Sequence, residues 1–195
     1  MGEHVLFFYV QGTLMSPQIL HRVIHGRTNP EPWQKAMLQI QPAILHGYRR
    51  HRVRGEDYPG IIPVAETKAQ SPGTENSLAT SVVGSLVSGL TDGDVHRLDM
   101  FEGDQYEKMQ VAVRTLHKGR AQNGNPGVGD SGSERGLRDV LDAAEEEAAS
   151  EGEEVRAVTY VWTAGRDMLE DAEWDFETFK RDKMAWWVEA DESQW

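Results

Sequence analysis

Two short stretches of this 195-residue sequence place reactive residue types where a fold could use them. In Gly12-Thr13-Leu14-Met15, a glycine-led loop runs from an apolar, strand-like segment into a helix start. Main-chain N–H groups and the helix dipole at such a junction favour an anion such as a carboxylate. In Leu98-Asp99-Met100-Phe101-Glu102-Gly103, Leu98 and Phe101 share one helical face and bring Asp99 and Glu102 together on a neighbouring one. The dipole disfavours a carboxylate at the C-terminal end of a helix, so Glu102 needs a reason to be there other than helix stability. Neither stretch names a reaction by itself, because a glycine after a strand is usually just a turn.

The flanking sequence predicts the elements that must hold these stretches. His4 to Tyr9 is a short aromatic-rich run that reads as a buried strand. Ser16-Pro17 offers an N-cap with proline at the first helical position, and Ile19, Leu20, Val23 and Ile24 repeat at helical spacing up to Gly26. A strand is expected from about residue 40, then alternation through Arg49 to Arg54 to a turn at Gly55. Tyr58 to Val64, bracketed by prolines, suits an edge strand or a loop lining a pocket. Residues 68–81 read as a polar surface loop and Val82 to Leu90 as a strand.

Thr91 with Asp94 forms a capping-box pattern for a helix ending at Gly103. Tyr106 to Leu116 alternates as a half-buried strand with Met109, Val111 and Val113 on its apolar face. Residues 117–154 turn first to Gly, Asn and Ser and then to an acidic Ala/Glu segment, read as a flexible insertion outside the core. Val155 to Thr163 restores alternation, with Val158, Tyr160 and Trp162 on one face and Val161 on the other. Trp174 to Val188 reads as one amphipathic helix whose aromatics serve as core or docking groups. The absence of regular βαβ alternation points to an α+β class, a small mixed β-barrel or curled sheet with flanking helices, in a single domain over 1–195.

Composition narrows the chemistry. There is no cysteine, which excludes disulfides, thiolate nucleophiles and cysteine-type zinc sites. A net charge of -12 argues against nonspecific nucleic-acid binding. No run is long and apolar enough to span a membrane and the first residues lack a signal pattern, so a cytoplasmic protein is expected. His21, His25, His46 and His51 show no metal-ligand pairing and are expected on the surface or in loops. Asp99 is expected to be structural, and one of Arg49, Arg50, Arg52 and Arg54 is a candidate contact for a substrate carboxylate.

Taken in order, Phe8-Tyr9, Gly12-Thr13-Leu14-Met15, Tyr58-Pro59-Gly60-Ile61, Gly84 to Leu90, Leu98 to Gly103, Tyr106, Tyr160-Val161-Trp162 and Trp174-Asp175-Phe176-Glu177 resemble the γ-glutamylcyclotransferase-like family. The likeness is to its plant and fungal branch named after avirulence-induced genes, and it runs from about His4 to Val188. The resemblance implies a small barrel with a cavity at one end, no cofactor and no metal. It implies that Gly12, Thr13, Leu14 and Met15 hold a substrate α-carboxylate through backbone amides, that Glu102 is the acid/base, and that Tyr9, Tyr58 and Tyr106 belong to the site. The implied reaction closes a γ-glutamyl group to 5-oxoproline and releases an amine or amino acid, the nucleophile being the substrate's own α-amine. A non-catalytic or regulatory carboxylate-binding domain of the same fold is the alternative. The family's loop carries Tyr directly before its Gly; here Val10-Gln11 intervene, so either Gln11 takes that place or two residues are inserted. Lys108 stands where the family often has Arg.

Overall fold

The computed structural model describes residues 7–64, 81–118 and 149–189. Strand β1 (Phe8–Val10) is followed by a 3-10 turn (Gly12–Met15), helix α1 (Pro17–His25) and the short helix α2 (Pro32–Met37). Then come β2 (Gln39–His46), β3 (Tyr48–Arg52), β4 (Pro59–Pro63), β5 (Ser81–Ser88) and α3 (Asp92–Glu102). A second 3-10 turn (Gly103–Gln105) leads into β6 (Tyr106–Lys118), β7 (Ala149–Trp162), α4 (Phe176–Asp182) and α5 (Met184–Glu189).

Five strands close a barrel in the order β1-β5-β2-β6-β7, and β3 with β4 forms a separate two-stranded sheet. All barrel pairings are antiparallel except the closing one, where Phe8 of β1 lies parallel against Val158 of β7. The mixed barrel with flanking helices is therefore as the sequence predicts. Alternation sorts the side chains into two cores. Tyr9, Leu45, Val82, Leu86, Val111, Val113 and Val161 fill the barrel interior. Phe8, Val87, Leu98 and Tyr160 pack outward with Leu14, Ile19, Leu20, Trp174, Phe179 and Trp187, under the helices.

Helix boundaries follow their local chemistry. Thr91 Oγ1 accepts from the Asp94 N–H at 3.2 Å, and Asp94 Oδ2 accepts from the Thr91 N–H at 2.8 Å, which starts α3 as expected. Gly103, at φ 69°, ends it. Ser16 sits at the N-cap of α1 with Pro17 behind it, but its hydroxyl turns to Met184 Sδ at 4.0 Å, so the helix start is tied to α5 instead of capped by the side chain.

Other expectations need correction. The last helix is two, α4 and α5, broken at Lys183, and it starts only at Phe176 because Asp175 caps Thr178. Met109 shares a side with Val111 and Val113 yet is 42% exposed. The ends of the expected insertion are strand: Leu116, His117 and Lys118 pair with Glu151, Ser150 and Ala149, continuing the β6/β7 ladder. The acidic centre at 119–148 and the loop at 65–80 lie outside the described residues. Among the described residues, no helix is long and apolar enough to cross a membrane.

Candidate active site

Glu102 is the last residue of α3, and what aims it is the burial of that helix. Leu98, one turn earlier, is completely buried in the outer core, while Thr91 and Asp94 fix the other end. Gly103 then turns the chain so that Tyr106 can open β6. The glutamate thus lies on the wall of a cavity of about 400 Å³, within the range of roughly 300–1,000 Å³ usual for ligand sites.

Three further segments complete the walls. Gln11 and Thr13 come from the turn after β1, Asp57, Tyr58 and Pro59 from the approach to β4, and Trp186 and Trp187 from α5. Tyr106 donates its hydroxyl to the Pro59 carbonyl at 2.7 Å, and Tyr58 donates to Gln105 Oε1 at 3.1 Å. These two bonds tie the β4 approach to the segment that carries Glu102. On the far side, Trp174 Nε1 donates to the Asp57 carbonyl at 2.8 Å and anchors the same approach to the C-terminal helices.

The crowding has an electrostatic consequence. Part of the Glu102 surface still reaches the cavity, but desolvation pushes its carboxyl up to about 8. Burial also raises the Tyr106 and Tyr58 hydroxyls, so both remain neutral donors. Asp99, one turn before, behaves oppositely. Burial alone would lift it, yet hydrogen bonds from Lys108 Nζ and the Tyr160 hydroxyl, at 2.8 and 2.7 Å, hold its carboxyl below the usual carboxylate range. Two acids on one helix are therefore pushed in opposite directions, Glu102 towards its neutral form and Asp99 towards its charged one.

The chain as a whole has counterparts among known proteins. Residues 6–125 match the family model described as gamma-glutamyl cyclotransferase, AIG2-like. The chain belongs to this family. Protein AIG2 C of Arabidopsis thaliana is 25% identical over 91% of this chain and 73% of its own length. AIG2-like protein B of the same plant is 27% identical over 96% of this chain and 75% of its own. A solution structure from Arabidopsis thaliana superposes with a TM-score of 0.50 and 22% identity, covering 92% of this chain and 75% of that one, which shows a shared fold.

Within this AIG2-like chain, the site residues named from sequence divide. Glu102, Thr13, Tyr58 and Tyr106 line one cavity, with Gly12 between Gln11 and Thr13. Gly12 adopts φ +82°, and a Cβ there would lie 2.5 Å from the Pro59 ring, so the turn can press against the β4 approach only as glycine. The Leu14 and Met15 side chains are buried in the outer core and do not line the cavity; the role expected of them is a backbone one. Tyr9 is a correction. Strand parity sends it into the barrel, where its ring lies over Gly84 and its hydroxyl donates to the Val82 carbonyl. Gln11 is the residue before the loop glycine that faces the cavity.

Several wall residues escaped sequence reasoning. Phe101, Trp186 and Trp187 were read only as helix-face or core aromatics, and Gln105, Glu56, Asp57 and Asp104 gave no spacing signal, since the segments meet only in the folded chain. The arginines do not reach the site: Arg50 is buried over the Trp174 ring and donates to Met15 Sδ and the Val83 carbonyl. Two histidines expected outside are buried. His21 lies on the buried face of α1, and His51 bonds the Glu170 carbonyl at 2.8 Å. His46 is exposed, as expected, between Ser81 Oγ and Glu151.

Proposed function

We propose that this chain is a γ-glutamyl cyclotransferase in which Glu102 moves the protons. The observation that carries this reading is a desolvated carboxyl, pushed up to about 8, on the wall of a cavity that Gln11 and Thr13 also line. The substrate enters with its α-amine as an ammonium, which cannot attack. Glu102 takes one proton, the freed amine attacks the γ-carbonyl carbon, and a five-membered ring forms. The bond from that carbon to the leaving nitrogen then breaks as Glu102 returns its proton there and the ring nitrogen's second proton passes to the departing amine, giving 5-oxoproline and an ammonium with no net proton change.

The cavity supplies what this sequence of steps requires. A nearby ammonium lowers the carboxyl that burial has raised, so binding itself converts Glu102 to the base. Gln11 Oε1 is buried and has no hydrogen-bond partner, and a substrate N–H would satisfy it. The backbone of the Gly12–Met15 turn is where the family resemblance seats the α-carboxylate. Orientation does the rest, because tethered groups held in line reach effective molarities of roughly 10⁵ M or more.

The test is direct incubation of the purified chain with γ-glutamyl amides. The expected result is 5-oxoproline and amine released in equal amounts, without added metal or cofactor. Tight binding of a glutamyl compound with no turnover of any amide would contradict this reading and favour a carboxylate-binding domain.

A further inference from the structure

The family match ends at residue 125, yet the cavity's outer wall is built by α5, beyond it. Trp186 is 47% exposed there, an unusual position for so large an apolar ring, and its orientation is fixed. Its ring stands edge-on to Trp187 at 5.6 Å and 84°. Trp187 is itself wedged between Phe179, at 6.2 Å, and Phe101, at 5.9 Å. Phe101 is the residue next to Glu102. A continuous aromatic stack therefore sets the distance between the open face of Trp186 and the proposed proton carrier.

We propose that Trp186 is a specificity determinant that seats the departing amine, and that it selects amines with an apolar, carboxylate-free body. This rests on the cyclotransferase reading and names its leaving-group class. The charge of the walls makes the second half of the selection. Among the described lining residues there is no Lys or Arg, while Glu56, Asp57 and Asp104 are acidic. Asp57 is matched by Lys183 at 3.3 Å, whereas Glu56 and Asp104 form no ion pair among the described residues. A leaving group that ends in a carboxylate, as in a γ-glutamyl dipeptide, meets negative charge there. An arylalkylamine meets the flat ring of Trp186, where stacking is favourable and no charge is buried.

The experiment compares kcat/KM of the full chain for three substrates: γ-glutamyl phenethylamide, γ-glutamyl methylamide and γ-glutamylalanine. The phenethylamide is expected to lead the methylamide by about ten-fold or more, with the dipeptide slowest. Trp186→Ala should cut the phenethyl-to-methyl ratio by about ten-fold, and Trp186→Phe should keep it within about three-fold of the parent, both variants retaining the parent's far-ultraviolet dichroism and cooperative thermal unfolding. An unchanged ratio in Trp186→Ala, or a preference for the dipeptide, overturns the proposal. If none of the three substrates yields 5-oxoproline, the cyclotransferase reading itself fails, and the proposal with it.

Discussion

Gly12 and Glu102 carry the site through opposite uses of confinement. Gly12 is small because the Pro59 ring occupies the space a Cβ would need, and because its φ of +82° is strained for any other residue. Gly12→Ala should therefore destabilise the chain by about 1–3 kcal/mol in urea titrations and weaken substrate binding as the turn retreats from Pro59. Glu102 is confined by desolvation instead. With its carboxyl near 8, kcat/KM should climb steadily from about pH 5.5 to about pH 8, where an ordinary glutamate would give a plateau across that range. Initial rates at saturating buffer strength across that range decide it. The positions of Gly12 and Glu102 at element boundaries were legible in the sequence, whereas the roles proposed for them came only with the family resemblance. The division between Tyr9 and Gln11 was not legible, because they share strand parity and are separated only by where β1 stops, at Val10, after which Gln11 leaves the barrel for the cavity.

Helices α1 and α3 hold the site from behind, and their contact contains a pH-sensitive pair. His21 and His25 stack on α1 with ring centroids 5.5 Å apart, and His21 Nδ1 and His25 Nε2 are buried without hydrogen-bond partners. Burial, followed by His25 and Lys35, pushes His21 down to about 4. Burial also lowers His25, with Asp94 opposing the effect and Arg97 and Arg27 adding to it. A histidine held neutral in the fold below its ordinary value of 6.5 leaves stability intact above that value. That stability is lost as pH falls from 6.5 towards 4, where the unfolded chain takes the proton first. In urea unfolding the parent should lose on the order of 1–2 kcal/mol more than His21→Phe over this window, the opposing gain from protonation of Glu102 being common to both. The helices themselves were readable from Ser16-Pro17, Gly26 and the Thr91/Asp94 box. The break at Lys183 was not, because the pull that sets it comes from distant partners: Trp174 on Asp57 and Ser16 on Met184.

For the molecule as a whole, the barrel converts a set of short, separately weak signals into one cavity. Closure by the parallel β1/β7 contact brings the loop after β1 beside the end of β7, and the β6/β7 ladder places Tyr106 opposite Trp162. Their rings meet edge to face at 5.3 Å, next to the Tyr106–Pro59 hydrogen bond. The order of motifs, through the family resemblance, predicted a small barrel with a cavity at one end but not these pairings. The outer wall from α5 was beyond such reasoning, since two adjacent tryptophans at 186 and 187 look alike in a helical pattern. Only packing separates the buried ring from the exposed one. The claim on which the account stands is that Glu102 serves the reaction at a cost to the fold. The measurement is 5-oxoproline release from a γ-glutamyl amide by Glu102→Gln beside the parent, with thermal midpoints for both at pH 8. A rate loss of about 10²–10⁴, with the midpoint raised by roughly 2–4 °C per kcal/mol regained, is the expected result; a variant that keeps the parent's rate contradicts the account.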